Sequence, residues 1–208
     1  MILRYTINQN SKHIYLIFNK PFNVLSQFTK TEGKLALSDF LKLPKDVYPV
    51  GRLDYDSEGL LILTNDNYLK DSLLNPLNNH QKKYLVQVEG IPSIENLIEL
   101  ESGVKINING NEYLTKKCNV KSLDNIPNLP PRIPPIRFRE SIPTSWLEIQ
   151  ISEGKNRQIR KMTAKVGLPT LRLIRSSIEN LVLDGIDPGK FIQLSKNSIY
   201  KKLNLKII

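Results

Sequence analysis

Short runs rich in β-branched, aliphatic and aromatic residues recur along the chain at residues 14–18, 60–63, 84–88, 146–149 and 191–194, bounded by polar and turn-forming segments. Runs of this length and composition predict strands. Residues 104–108 and 112–115 flank Asn109-Gly110, a dipeptide that tolerates the positive φ angles of a tight turn, and predict an antiparallel hairpin. Helical signals are fewer. One covers residues 94–98, with Ser93 as its cap and a stop near Gly103. The strongest runs from about Asn156 to Val166, where Ile159, Met162, Thr163 and Val166 follow the i, i+3, i+4, i+7 spacing and Gly167 and Pro169 end the helix. Arg157, Lys161 and Lys165 fall on its opposite face, and Arg160 lies at the boundary, where a long side chain can reach a cleft. Six prolines interrupt residues 126–145, which reads as an extended connection carrying Arg132, Arg137 and Arg139. Residues 1–13 are polar and unpatterned, an edge strand or a loosely held extension. The pattern as a whole predicts an α+β protein dominated by antiparallel strands.

At 208 residues and 40% hydrophobic content the chain can bury a continuous core without staples. Lys and Arg number 30 against 20 acidic residues, and the resulting charge of +10 favours a polyanionic partner, nucleic acid first. A membrane surface would attract the same charge. No stretch of about 18 apolar residues occurs, however, and the start Met1-Ile2-Leu3-Arg4-Tyr5-Thr6 has no signal-peptide pattern. A cytoplasmic protein with no membrane partner is expected. The single Cys118 excludes an internal disulfide and a thiolate zinc cluster, and His13 and His80 lack metal-ligand spacing, so no metal is expected.

The segment Gly51-Arg52-Leu53-Asp54-Tyr55-Asp56-Ser57-Glu58-Gly59 places three carboxylates in one loop ahead of the apolar run at 60–63. A calcium loop fits the alternation of Asp54, Asp56 and Glu58 and a glycine in sixth position. It fails at the twelfth, where Asn65 stands instead of a bidentate Glu, and at the strand that follows. A glycosidase-like carboxylate pair and a plain acidic turn both stay open on the residues alone.

The longer segment from Tyr48 to Asp66, YPVGRLDYDSEGLLILTND, resembles the signature of the RsuA-type pseudouridine synthases. Three further segments stand in that family's order: Asn19-Lys20-Pro21 with Val24-Leu25-Ser26, then Lys82-Lys83-Tyr84-Leu85-Val86, then Glu153-Gly154-Lys155-Asn156-Arg157-Gln158-Ile159-Arg160-Lys161-Met162. The resemblance spans roughly residues 14–195. The proline-rich run and the segment from Pro169 to Arg175 look most like the subgroup that acts on large-subunit ribosomal RNA. That subgroup lacks the small N-terminal RNA-binding domain of most members, in keeping with the 13 residues that precede the first motif here. Residues 1–13 are then an extension and 14–208 the catalytic domain.

The resemblance implies a mixed, largely antiparallel central sheet with the cleft across it, a ribosomal RNA substrate and a monomer. It implies a reaction that breaks the N1–C1′ bond of uridine and joins C5 to C1′, which exchanges no electrons and needs no cofactor. Asp54 matches the catalytic aspartate. Arg160 matches the basic residue set against it, where a guanidinium would keep the carboxylate ionised, and Tyr84 matches the ring that stacks on uracil. Arg52 matches the arginine that enters the space left by a flipped uridine, while Lys20, Asn156 and Arg157 are expected to contact RNA near the cleft. A noncatalytic RNA-binding protein of the same fold is the principal rival, and a glycoside-processing enzyme the second.

Overall fold

The structure, a computed structural model, describes residues 12–136, Arg139 and residues 141–207. In chain order the elements are β1 (Tyr15–Lys20), β2 (Val24–Leu25), β3 (Leu35–Ala36), β4 (Tyr48–Pro49), β5 (Glu58–Thr64), α1 (Asn67–Leu74), β6 (Lys82–Glu89), α2 (Ile94–Ser102), β7 (Lys105–Ile108), β8 (Asn111–Leu114), β9 (Asn119–Leu123), β10 (Thr144–Ile151), α3 (Gln158–Lys165), β11 (Thr170–Ile178), β12 (Leu181–Val182), β13 (Phe191–Gln193) and α4 (Lys196–Lys202). Nine strands form one sheet in the order β13-β1-β5-β11-β6-β10-β9, with β4 on β5 and β12 on β11. The pairing in this sheet is antiparallel except between β5 and β11. The expected mixed, largely antiparallel sheet is present.

Burial explains the strand patterns. β1 and β5 are buried at every position, and their stretches 15–18 and 60–63 read as continuous apolar runs. β6 alternates instead, with Tyr84, Val86 and Val88 turned to the core. The Asn109-Gly110 turn closes β7 onto β8 with both φ angles positive, 51° and 89°. α2 begins at the expected Ser93 cap, whose side chain accepts from the Asn96 N–H. α3 buries Ile159, Met162 and Thr163, as the spacing predicts, but begins two residues later than expected. Asn156 therefore precedes the helix, and Arg157 takes a left-handed conformation with φ of 51° at its start.

The parallel contact between β5 and β11 has only two residue pairs, Ile174 with Glu58 and Arg175 with Gly59. Gly59 makes that approach possible, since a Cβ there would stand 2.4 Å from the Arg175 carbonyl oxygen. Beyond it the two strands part, and β4 pairs with the far end of β5. A cavity opens at this parting, walled on one side by the core cluster of Leu53, Tyr84, Ile159 and Leu173 and on the other by that of Val50, Leu73 and Ile178.

The proline-rich segment joins β9 to β10 without regular structure over its described part. Arg132 packs over the Phe22 ring at 4.1 Å, Arg139 pairs with Glu89, and Arg137 lies outside the described residues, as do residues 1–11 of the expected extension. No helix among the described residues is long and apolar enough to cross a membrane.

Candidate active site

The first motif supports the acidic loop from behind. Ser26 Oγ donates to the Leu53 carbonyl at 2.7 Å and accepts from the Leu53 N–H at 3.1 Å. Lys20 Nζ donates to the carbonyls of Pro21 (2.9 Å), Val24 (2.7 Å) and Tyr55 (3.4 Å). The two neighbours of Asp54 in sequence are thus both fastened, and three carbonyls match the three donors of an ammonium. Burial pushes the Lys20 pKa down to about 7, against the opposing pull of Glu58, Asp56 and Asp54. Lys20 is fully buried, which corrects the expectation of an RNA contact. Its place at the end of β1, in register with Gly59, sends the side chain beneath the loop and away from solvent.

The three carboxylates of the loop go in three directions. Glu58, at the start of β5, receives Arg172 Nε at 2.8 Å and Nη2 at 2.9 Å, a pair with both side chains under a tenth exposed. Asp56 receives both terminal nitrogens of Arg157 at 2.8 Å. Arg160 approaches the Asp56 carboxylate at 3.4 Å and donates to its backbone carbonyl at 2.6 Å. Burial acts to raise the Asp56 pKa, but the Arg157 hydrogen bonds and the Arg160 charge hold it below the ordinary aspartate value. Asp54 alone lines the cavity without a direct arginine hydrogen bond; its nearest cation is Arg157, 3.8 Å away, and its side chain is 32% exposed.

Two expectations therefore change. Arg160 holds the loop through Asp56 rather than contacting Asp54, because its side chain, 11% exposed, crosses from α3 to the turn that follows Asp54. Arg157, expected on phosphate, clamps Asp56 and is the arginine nearest Asp54. Its left-handed backbone turns the guanidinium to the acidic loop.

The cavity measures about 340 Å³, within the range of small-ligand pockets. Asp54, Tyr84, Lys82 and Arg175 line it, with exposed Arg52 and Asn156 at its mouth. Arg52 makes no hydrogen bond or ion pair among the described residues. Lys83 points to the opposite face, as alternation along β6 predicts, where it pairs with Glu148 at 3.0 Å. Sequence reasoning missed Lys82 and Arg175 as cavity residues. The available signals were Lys82's two-residue spacing from Tyr84 and an arginine within an apolar strand. The turn into α3 is fixed by Glu153, which accepts from Gln158 Nε2 at 2.6 Å and from the Lys116 N–H at 2.8 Å.

The sequence profile of the RNA pseudouridylate synthase family matches residues 14–165. The ribosomal large subunit pseudouridine synthase E of Vibrio vulnificus (strain CMCP6) is 47% identical over 180 residues, covering 86% of this chain and 74% of that protein. Its namesake in Xanthomonas axonopodis pv. citri (strain 306) is 49% identical over 175 residues, 83% and 90% of the two chains. The ribosomal large subunit pseudouridine synthase B of Bacillus subtilis (strain 168) is 31% identical over 192 residues, covering 92% and 72%. A crystal structure of a pseudouridylate synthase shares the fold with a TM-score of 0.75 at 24% identity, over 92% of this chain and 74% of that one. Profile and identity embrace the acidic loop together with the motifs that support it, and the chain belongs to the family of RNA pseudouridylate synthases.

Proposed function

We propose that the chain isomerises a uridine of large-subunit ribosomal RNA to pseudouridine, with Asp54 as the catalytic carboxylate. The partition of the three acids carries this reading: Asp56 and Glu58 are tied to arginines, while Asp54 faces the cavity beside Tyr84. The names of the Vibrio and Xanthomonas relatives support the RNA class. Residues 14–208 form the catalytic domain and act as a cytoplasmic monomer without metal or cofactor. During the reaction C5 loses a proton and N1 gains one, so the change is an isomerisation with no net transfer to another molecule. Asp54 acts at the reacting nucleoside, as nucleophile, base or stabiliser of charge at C1′. Tyr84 offers a ring to the flipped uracil. Arg157 and Arg160 keep the loop in place, Arg52 occupies the gap left in the RNA, and Asn156 contacts phosphate at the mouth.

Pseudouridine maps of cellular RNA with and without this protein test activity and target together. One missing site is expected in large-subunit RNA; an unchanged map supports the noncatalytic rival. Asp54→Asn removes charge with little change in volume, so it abolishes isomerisation while keeping the fold and most RNA affinity. Single-turnover rates comparable to the parent's would sink the assignment.

A further inference from the structure

Arg175 lines the catalytic cavity, pairs in register with Tyr84 across β6 and β11, and is 5% exposed. Of its guanidinium donors, only Nε has an acceptor among the described residues, the Leu60 carbonyl at 2.8 Å, just past the point where β5 and β11 part. Nη2 is buried without a hydrogen-bond partner, and Arg175 forms no ion pair among the described residues. Arg172, three residues earlier and similarly buried, has the bidentate Glu58 partner that Arg175 lacks. Lys82 adds a second cation to the same cavity. Its Nζ donates to the His80 carbonyl at 2.8 Å, and burial followed by the nearby Arg175 charge lowers its pKa. A buried cation with open donors is costly unless something accepts from it.

We propose that Arg175 is the recognition group for the base, donating to a uracil carbonyl oxygen, O2 or O4, of the flipped uridine as the ring lies against Tyr84. The inference rests on the assignment of Asp54 and Tyr84 given above. Lys155 and Asn156 are exposed at the mouth, where donors suit phosphate, whereas Arg175 lies deep among the apolar walls, where a neutral base fits. The same contact acts on the chemistry. When N1–C1′ breaks with its electron pair passing to the base, the negative charge spreads over N1, O2 and O4; C5 then bonds to C1′, C5 releases its proton and N1 takes one. A guanidinium on a carbonyl oxygen binds the base more tightly as that charge develops.

The test uses the full chain at saturating concentration and an RNA fragment carrying the uridine that the parent converts, prepared with oxygen, 2-thio or 4-thio at the target position. Sulfur accepts hydrogen bonds poorly. One sulfur substitution is expected to slow single-turnover conversion by the parent about tenfold or more, and to slow Arg175→Met by less than about twofold relative to that variant's own rate on the oxygen RNA. A parent indifferent to both sulfurs overturns the inference, as does a sulfur effect undiminished in Arg175→Met. Should the variant not fold, the parent's response to the two sulfurs decides alone. Failure of the parent to convert any oxygen RNA would instead strike the activity assigned above, so the two failures are distinct.

Discussion

At the scale of single residues, the two cleft arginines are expected to act at different steps. Arg52 is exposed at the mouth and has no partner among the described residues. Arg160 is mostly buried and bound to Asp56. Unstacking a paired base costs a few kcal/mol and less in an open strand. Arg52→Ala is expected to slow conversion of a paired target roughly 10- to 100-fold and to recover much of that loss when the target uridine is unpaired. Arg160→Ala loosens the turn after Asp54, a defect that persists once the base has reached the pocket, and shows no such recovery. Single-turnover rates on paired and unpaired versions of one RNA separate the two. Equal rescue of both variants, or of neither, refutes the division. The sequence carried Asp54 only through its family resemblance, because spacing could not say which of three acids faces a cavity. Lys20, expected on RNA near the cleft, lies buried for a related reason: nothing in its neighbours reveals that three carbonyls close around it.

Among the elements, α1 shows what the end of the acidic signature does. Asp66 caps this helix by accepting from the Leu69 N–H at 3.2 Å, and its other oxygen accepts from Tyr15 at 2.7 Å and Tyr200 at 2.6 Å. One side chain thereby joins β1, α1 and α4 and holds Leu73 and Leu74 at the cavity wall. Burial acts to raise its pKa, but the hydrogen bonds from Tyr200, Tyr15 and Leu69 bring it below the ordinary aspartate value. An aspartate depressed in the folded state contributes stability in full above its unfolded pKa of about 3.9 and loses it as pH falls through the folded value. Asp66→Ala is expected to cost roughly 2–4 kcal/mol at neutral pH, from the cap and the charged hydrogen bonds together. It should also flatten the fall in stability below about pH 4. Urea unfolding of parent and variant across pH checks both; an unchanged midpoint at neutral pH refutes the role. Strands β1, β5, β6, β10 and β13, the β7–β8 hairpin, α2 and α3 were legible because burial imposes a period or a turn dipeptide marks the reversal. α1 and α4, eight and seven residues long, carry too few turns for a periodic signal. In β11, Arg172 and Arg175 interrupt the apolar pattern and concealed a buried central strand.

For the whole molecule, the charge of +10 gains meaning from where its cations are free. RNA binding releases counterions in proportion to the phosphates neutralised, with a slope in log affinity against log salt of about −0.7 per phosphate for single strands and −0.9 for duplex. The parent's affinity should fall steeply with salt, and a nearly flat plot would contradict a phosphate-bound substrate. Lys155 is exposed at the cavity, 4.9 Å from the Tyr113 ring and without a carboxylate partner among the described residues. Lys155→Ala should therefore weaken binding and reduce the slope by about one. Lys121 stands in register with Glu148 and Leu85, on the face of the sheet away from Tyr84, and Lys121→Ala should leave the slope unchanged. Arg157 gives the discriminating case, because its charge is already taken by Asp56 at 2.8 Å. Arg157→Ala should lower the single-turnover rate while barely moving the slope. A slope reduced by a full unit in that variant would return Arg157 to the phosphate role the sequence suggested, and would mean that its clamp on Asp56 opens when RNA binds.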